Sequence, residues 1–289
     1  MGTHPTAAPA GSYIYCIAPA HPLAKGKQPL KAASIGDQQK PPRIVTSDGL
    51  AAVVSDMSVG RFDITRQNIL THERVIAEVM SRVDVLPCSF GTVAASDKAI
   101  REDLLRPLHG ELLSQLDRIR GHVEMGVMVL WERERLFADI TEEDVRIRRM
   151  RDAIAAQPQD TAYYDRIALG ELVAASIEQR REREAVALLA SLQPLAADSR
   201  VNRIINDMMI LNAAFLVKRD RVPAFDERIR ELAEVSAGRL IFRYAGPLAP
   251  YNFVDIALRN ATFSGSHDPV HHANDTGGMD ITNTEVERT

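Results

Sequence analysis

The segment Val83-Asp84-Val85-Leu86-Pro87-Cys88-Ser89-Phe90-Gly91-Thr92-Val93 constrains the fold more than any other. Val83, Val85 and Leu86 supply the branched bulk of a buried strand, and Gly91 permits a turn that other residues resist. Pro87 has no backbone donor, so the strand is either an edge or broken at that point. Amphipathic segments flank it on both sides, which predicts an inner element of an α+β layer. Cys88 sits mid-strand with no basic neighbour in sequence, which suits a small buried hydrophobe better than a nucleophile.

The chain has 289 residues, enough for about two domains. Its 45% hydrophobic and 26% charged content is that of an ordinary globular protein. A formal charge of −4 gives no electrostatic case for nucleic acid. Cys16 and Cys88 lie far apart and outside any CxxC spacing, against a disulfide framework or structural zinc and in favour of a reducing, cytoplasmic setting. No apolar run approaches the roughly 20 residues that span a bilayer, and residues 1–11 lack the basic and apolar regions of a signal peptide.

Residues 1–11 read as a flexible tail, and Tyr13-Ile14-Tyr15 as the centre of a short strand. Residues 19–42, rich in Pro, Gly, Lys and Gln, read as a loop insertion. Asp48-Gly49 between two apolar runs is a hairpin signal. A helix over 65–82 carries Ile69, His72, Ile76, Val79 and Met80 on one face, with His72 as a packing histidine. Ser96 caps a second helix with Leu104, Leu112 and Leu116 in its stripe, and Pro107 predicts a kink or a break. A strand follows over 122–131. The first half thus reads β-ββ-α-β-α-β, a modified ferredoxin-like domain over 12–132 with one antiparallel sheet and two helices on one face.

The second half, 133–258, reads as a helical segment followed by a small β-β-α-β unit. Thr141 is expected to cap a helix start. A long helix over 161–192 contains Gln179-Arg180-Arg181-Glu182-Arg183-Glu184, whose alternating charges predict a solvated, self-paired face. The gap in its apolar stripe suggests a helix projecting past its core. Residues 201–205 and 208–217 are expected to pair, and Val222-Pro223 starts a helix with Phe225, Ile229, Leu232 and Val235 facing inward. The polar stretch 259–289 reads as a disordered tail, and its His267, His271 and His272 as a chance cluster without rigid partners.

Catalytic signatures are absent: no GxSxG, GxxxxGK[ST], HExxH or paired CxxC occurs. No catalytic or metal-binding residue is assigned and no cofactor is called for. A small-molecule-binding or enzymatic ferredoxin-like protein is the alternative, and it predicts a pocket of convergent polar groups.

Several segments, in order, resemble the gas vesicle GvpL/GvpF family. They are Tyr13-Ile14-Tyr15, Gly49 to Ser55, His72, and Leu86-Pro87-Cys88-Ser89-Phe90-Gly91-Thr92-Val93 beside the family's LP-x-x-FGTV. Val123-Glu124-Met125-Gly126-Val127-Met128-Val129-Leu130-Trp131 resembles its VE-x-GV-x-V-x-W strand; Ala214 to Val217 and Gly246 to Val254 follow. Residues 19–42 and the chain after Asn260 lie outside the resemblance. It implies two α+β domains and a non-enzymatic accessory role in gas vesicle formation. It implies contact with the hydrophobic shell protein GvpA and other accessory Gvp proteins, not with nucleic acid or lipid membrane. The expected location is the gas vesicle, and the cytoplasm before assembly. The expected contact surfaces are the turn at Phe90, Gly91 and Thr92 and the closing segment with Gly246, Pro247, Pro250, Tyr251 and Phe253.

Overall fold

The computed structural model describes residues 10–25, 29–36, 40–58, 64–158, 162–255 and 279–280. The predicted tails, with His267, His271 and His272, lie outside the described residues apart from Ala10, Gly11, Met279 and Asp280. The α+β class holds: helices combine with two largely separate sheets.

The first unit opens with β1 (Ala10–Pro19), a short α1 (Ala20–Lys25), β2 (Arg43–Ser47) and β3 (Leu50–Ser58). Strands β2 and β3 form the expected hairpin, with Ser47 opposite Leu50. Asp48 and Gly49 both take positive φ, 49° and 84°, as a type I′ turn requires. Then come α2 (Arg66–Met80), β4 (Leu86–Pro87), β5 (Val93–Ala94), α3 (Asp97–Ala99) running into a π-helical stretch (Ile100–Leu105), and α4 (His109–Ile119). Pro107 falls in the break before α4, where its missing N–H costs no helical bond.

The sheet order is β2-β3-β1-β4, with β5 also on β1. The stretch expected to be an inner strand is therefore two short edge pieces, Leu86–Pro87 and Val93–Ala94, separated by the turn at Gly91. Pro87 explains the interruption. A bulge at Tyr15 breaks the β1–β3 register between Ile14 and Cys16. It leaves Ile14 and Ile17 on one face, in a core with Val54, Leu86, Leu104, Leu112 and Leu116 from β3, β4, the π-helical stretch and α4. Tyr13 and Tyr15 meet His72 of α2 on the other. The two helices expected on one face thus flank the sheet on opposite faces, because neighbouring residues of β1 point opposite ways and each helix claims one set.

The second sheet and its helices comprise β6 (His122–Trp131), α5 (Arg133–Glu143), α6 (Val145–Ala155), α7 (Tyr163–Leu192), β7 (Asp198–Val201), β8 (Met209–Lys218), α8 (Val222–Val235), β9 (Leu240–Leu248) and β10 (Met279–Asp280). The sheet order is β10-β9-β6-β8-β7. Strand β6, expected to complete the first sheet, is the middle of this one. Its burial on both faces, from Val123 through Trp131, suits a central strand. The compact units divide inside β6, between Glu124 and Met125, and the chain from Pro247 returns to the first unit. The sequence reading puts that divide at 132/133 and keeps the closing segment in the second half.

Three local readings differ from the structure. Helix α5 is an additional element: Thr141 lies within it and donates back to the Phe137 carbonyl, while Asp144 caps α6 by accepting from the Arg146 and Ile147 amides. Strand β7 ends at Val201 and pairs with Ala213–Leu216, so residues 202–205 are not strand. Val235, expected inward, is 89% exposed. Phe225 and Ile229 are buried as expected.

Candidate functional site

The first unit concentrates its polar chemistry on the α2 face of the sheet. Tyr13 projects from β1 and its hydroxyl lies 2.9 Å from His72 Nδ1; it also accepts the Gly91 amide at 3.1 Å. The Phe90 ring stands edge-on to both Tyr13 and His72. Gly91 has φ of 87°, so the turn that delivers this amide needs a residue without Cβ strain. Thr92 tightens the turn through Oγ1 to the Ser89 carbonyl, and its own carbonyl accepts the Ile14 amide. Tyr15, stacked on His72, accepts the Ile35 amide at 2.7 Å and meets Ser55 Oγ, which donates to the Ile35 carbonyl. Burial pushes the Tyr13 and Tyr15 hydroxyls up, so both stay protonated.

The loop insertion takes part in this packing. Ile35 and Ser34 are each 1% exposed. Gly36 has φ of 92°, and a Cβ there would stand 2.6 Å from the Asp56 carbonyl oxygen. The backbone passes β3 so closely that only glycine fits.

The closing segment docks on two carboxylates. Tyr251 donates its hydroxyl to Glu73 Oε1 of α2 at 2.9 Å. Asn252 donates its amide to Glu124 Oε2 at 2.8 Å and its side-chain Nδ2 to Oε1 at 2.7 Å. Arg118 of α4 donates to the Phe253 carbonyl, and Gln115 exchanges bonds with the Asp255 backbone. Glu124 is 2% exposed. Burial pushes its carboxyl up to about 7 and the Glu73 charge adds to the rise, against the two Asn252 donations. Burial likewise raises Glu73, partly offset by Tyr251.

Residues from several of the segments carrying the family resemblance meet in the first unit: Tyr13, Ser55, His72, Phe90-Gly91, Glu124 and Tyr251-Asn252 take part in its hydrogen bonds and ring contacts, whereas Met125–Trp131 and Ala214–Val217 belong to the second unit. The expected contact residues divide by exposure. Thr92, Pro250 and Phe253 are buried; Phe90, Gly91 and Tyr251 are half-buried; Gly246 and Pro247 are exposed. Cys88 is buried, and burial pushes its thiol up to about 12, leaving it no nucleophilic character near neutrality. A cavity of about 240 Å³ is bounded by Ser34, Lys40, Pro41, Arg43, Ser55 and Asp56. Arg43 there is engaged by Asp56 and Asp97. Among the described residues no set of three His, Cys, Asp or Glu side chains is grouped to hold a metal. No described helix is long and apolar enough to cross a membrane.

The second unit holds the feature that sequence reasoning missed. Arg180 and Arg181 are not a solvated face. Arg180, with 11% of its side chain exposed, bonds Asp139, Glu143 and Glu184. Glu184 also accepts from Trp131 Nε1 and Arg239. Arg181 lies over the Trp131 ring and donates to the Met209 and Asp207 carbonyls. Helix α7 is fastened to its sheet by this charged set. Its earlier half packs along α6, with Leu169, Leu172, Val173 and Ile177 half-buried and Tyr163 and Tyr164 exposed.

Comparison with known proteins gives one consistent result. Residues 11–255 match the family described as gas vesicle synthesis protein GvpL/GvpF. The chain is 32% identical over 245 residues to gas vesicle protein F of Streptomyces sp. (strain CB03234), covering 84% of this chain and 99% of that protein. It is 25% identical over 260 residues to gas vesicle protein L2 of Halobacterium salinarum, covering 84% and 91%. The fold is similar to the crystal structure of the gas vesicle protein GvpF from Anabaena sp. PCC7120, with a TM-score of 0.73 at 23% identity over 86% of this chain and 99% of that one.

Proposed function

Because the chain belongs to the GvpL/GvpF family of gas vesicle synthesis proteins, we propose that it acts in gas vesicle formation as a non-enzymatic accessory protein that binds the hydrophobic shell protein GvpA, other accessory Gvp proteins, or both. The observation that carries this reading is the family match, continuous over residues 11–255. The protein works at the growing gas vesicle and waits in the cytoplasm before assembly. A shell protein that is apolar enough to build a gas-filled wall aggregates in water unless a partner covers it. Each Å² of apolar surface covered contributes about 25 cal/mol before the costs of association.

Phe90 and Gly91 of the turn, and Pro247 of the closing segment, are the reachable contact residues of the first unit, and Gly246 is one of the second; all four are at least partly exposed. Thr92, Pro250, Tyr251 and Phe253 act from beneath by fixing the turn and the closing segment. Co-expression of this chain with the shell protein tests the proposal. The shell protein is expected to stay soluble and to co-purify only when this chain is present. Aggregation of the shell protein regardless, with no association, rules out direct capture.

A further inference from the structure

Among the described residues, the two carboxylates that receive the closing segment have no cation partner. Glu73 and Glu124 make no ion pair with a described Lys, Arg or His. Their partners are the Tyr251 hydroxyl and the two Asn252 donors. Arg118, the guanidinium that reaches the segment, is spent on the Phe253 carbonyl. The other titratable groups around the pair are Tyr13 and Cys16 on β1, His72 on α2, Cys88 beyond β4, and Tyr251 itself. Burial raises Tyr13, Cys16, Cys88 and Tyr251, so they remain neutral through the physiological range. Negative charge on the pair is thus offset only by neutral donors. A carboxylate in that position gains by reaching water, and it reaches water when the segment above it lifts.

We propose that Glu73 and Glu124 form a proton-dependent latch for the closing segment Tyr251–Phe253. The latch holds while a proton sits on the pair and slackens when both groups ionise. The segment it fastens carries half-buried Tyr251 and follows exposed Gly246-Pro247, so its grip on the first unit changes with proton activity near neutrality.

Amide hydrogen exchange of the full chain at pH 6 and pH 8, corrected for intrinsic chemistry and read at Asn252 and Phe253, tests this. With Glu124 titrating at about 7 in the closed state, protection falls about tenfold between the two pH values. Glu124→Gln keeps an acceptor for the Asn252 amide and removes the charge, so its protection is the same at both. Glu73→Gln moves the loss to lower pH and makes it smaller, because Glu124 no longer faces a second negative charge and ionises against burial alone. Constant protection in the parent chain overturns the proposal. So does an undiminished loss in Glu124→Gln, which assigns the response to another group such as His72.

Discussion

The two units bury charge in opposite ways. In the second, Asp139 and Glu184 meet Arg135, Arg180 and Arg239, so each buried carboxylate has guanidinium partners. In the first, Glu73 and Glu124 meet, among the described residues, only the hydroxyl and amide donors of the closing segment. Compensated charge makes a fixed joint, strong until one member is removed. Uncompensated charge makes a joint whose strength follows protonation. The same residue types therefore anchor α7 permanently and hold the closing segment conditionally.

The largest expected effect comes from Phe253→Ala, which empties a buried site in the first unit and costs about 4 kcal/mol in urea unfolding. Partner affinity of the folded fraction separates its packing role from contact: unchanged affinity with lost stability leaves the side chain to packing alone. Next is Arg180→Met in the second unit. It strips Asp139 and Glu184 of a shared partner, leaving Arg135 and Arg239, and costs about 3 kcal/mol. A loss under about 1 kcal/mol would return this stretch to a solvated face and erase the contrast. Tyr13→Phe removes the hydroxyl between His72 and the Gly91 amide and costs about 2 kcal/mol. Val235→Ser, at an 89% exposed position, shifts stability by less than about 0.5 kcal/mol.

What the sequence disclosed follows the range of the physics behind it. The Asp48-Gly49 hairpin was legible because type I′ chemistry is local to two residues. The apolar faces of α2 and α8 were legible because 3.6-residue periodicity needs no partner to be seen. The sheet to which β6 belongs was not, since an apolar strand can serve either sheet and its neighbours β8 and β9 lie far along the chain. Arg180, Arg181 and Glu184 look alike in sequence whether they face water or Asp139, Arg239 and Trp131. The bonds Asn252–Glu124 and Tyr251–Glu73 span 128 and 178 residues. Resemblance to a family marked most of those residues, and only the fold supplied the reason they belong together. Ile35-Gly36, inside a stretch that reads as loop, signalled its packing only through one apolar residue beside one glycine.

The account rests most directly on the ionisation of Glu124. Because its folded-state value lies above the ordinary glutamate value, its contribution to stability is fully present below about 4.5 and is lost as pH rises through about 7. Carboxyl carbon NMR of the glutamate-labelled full chain, with Glu124 assigned through Glu124→Gln, reads that value in the folded protein. The account predicts half-protonation at about 7. A midpoint in the ordinary glutamate range would mean that the carboxylate is solvated or paired with a cation, and would contradict it.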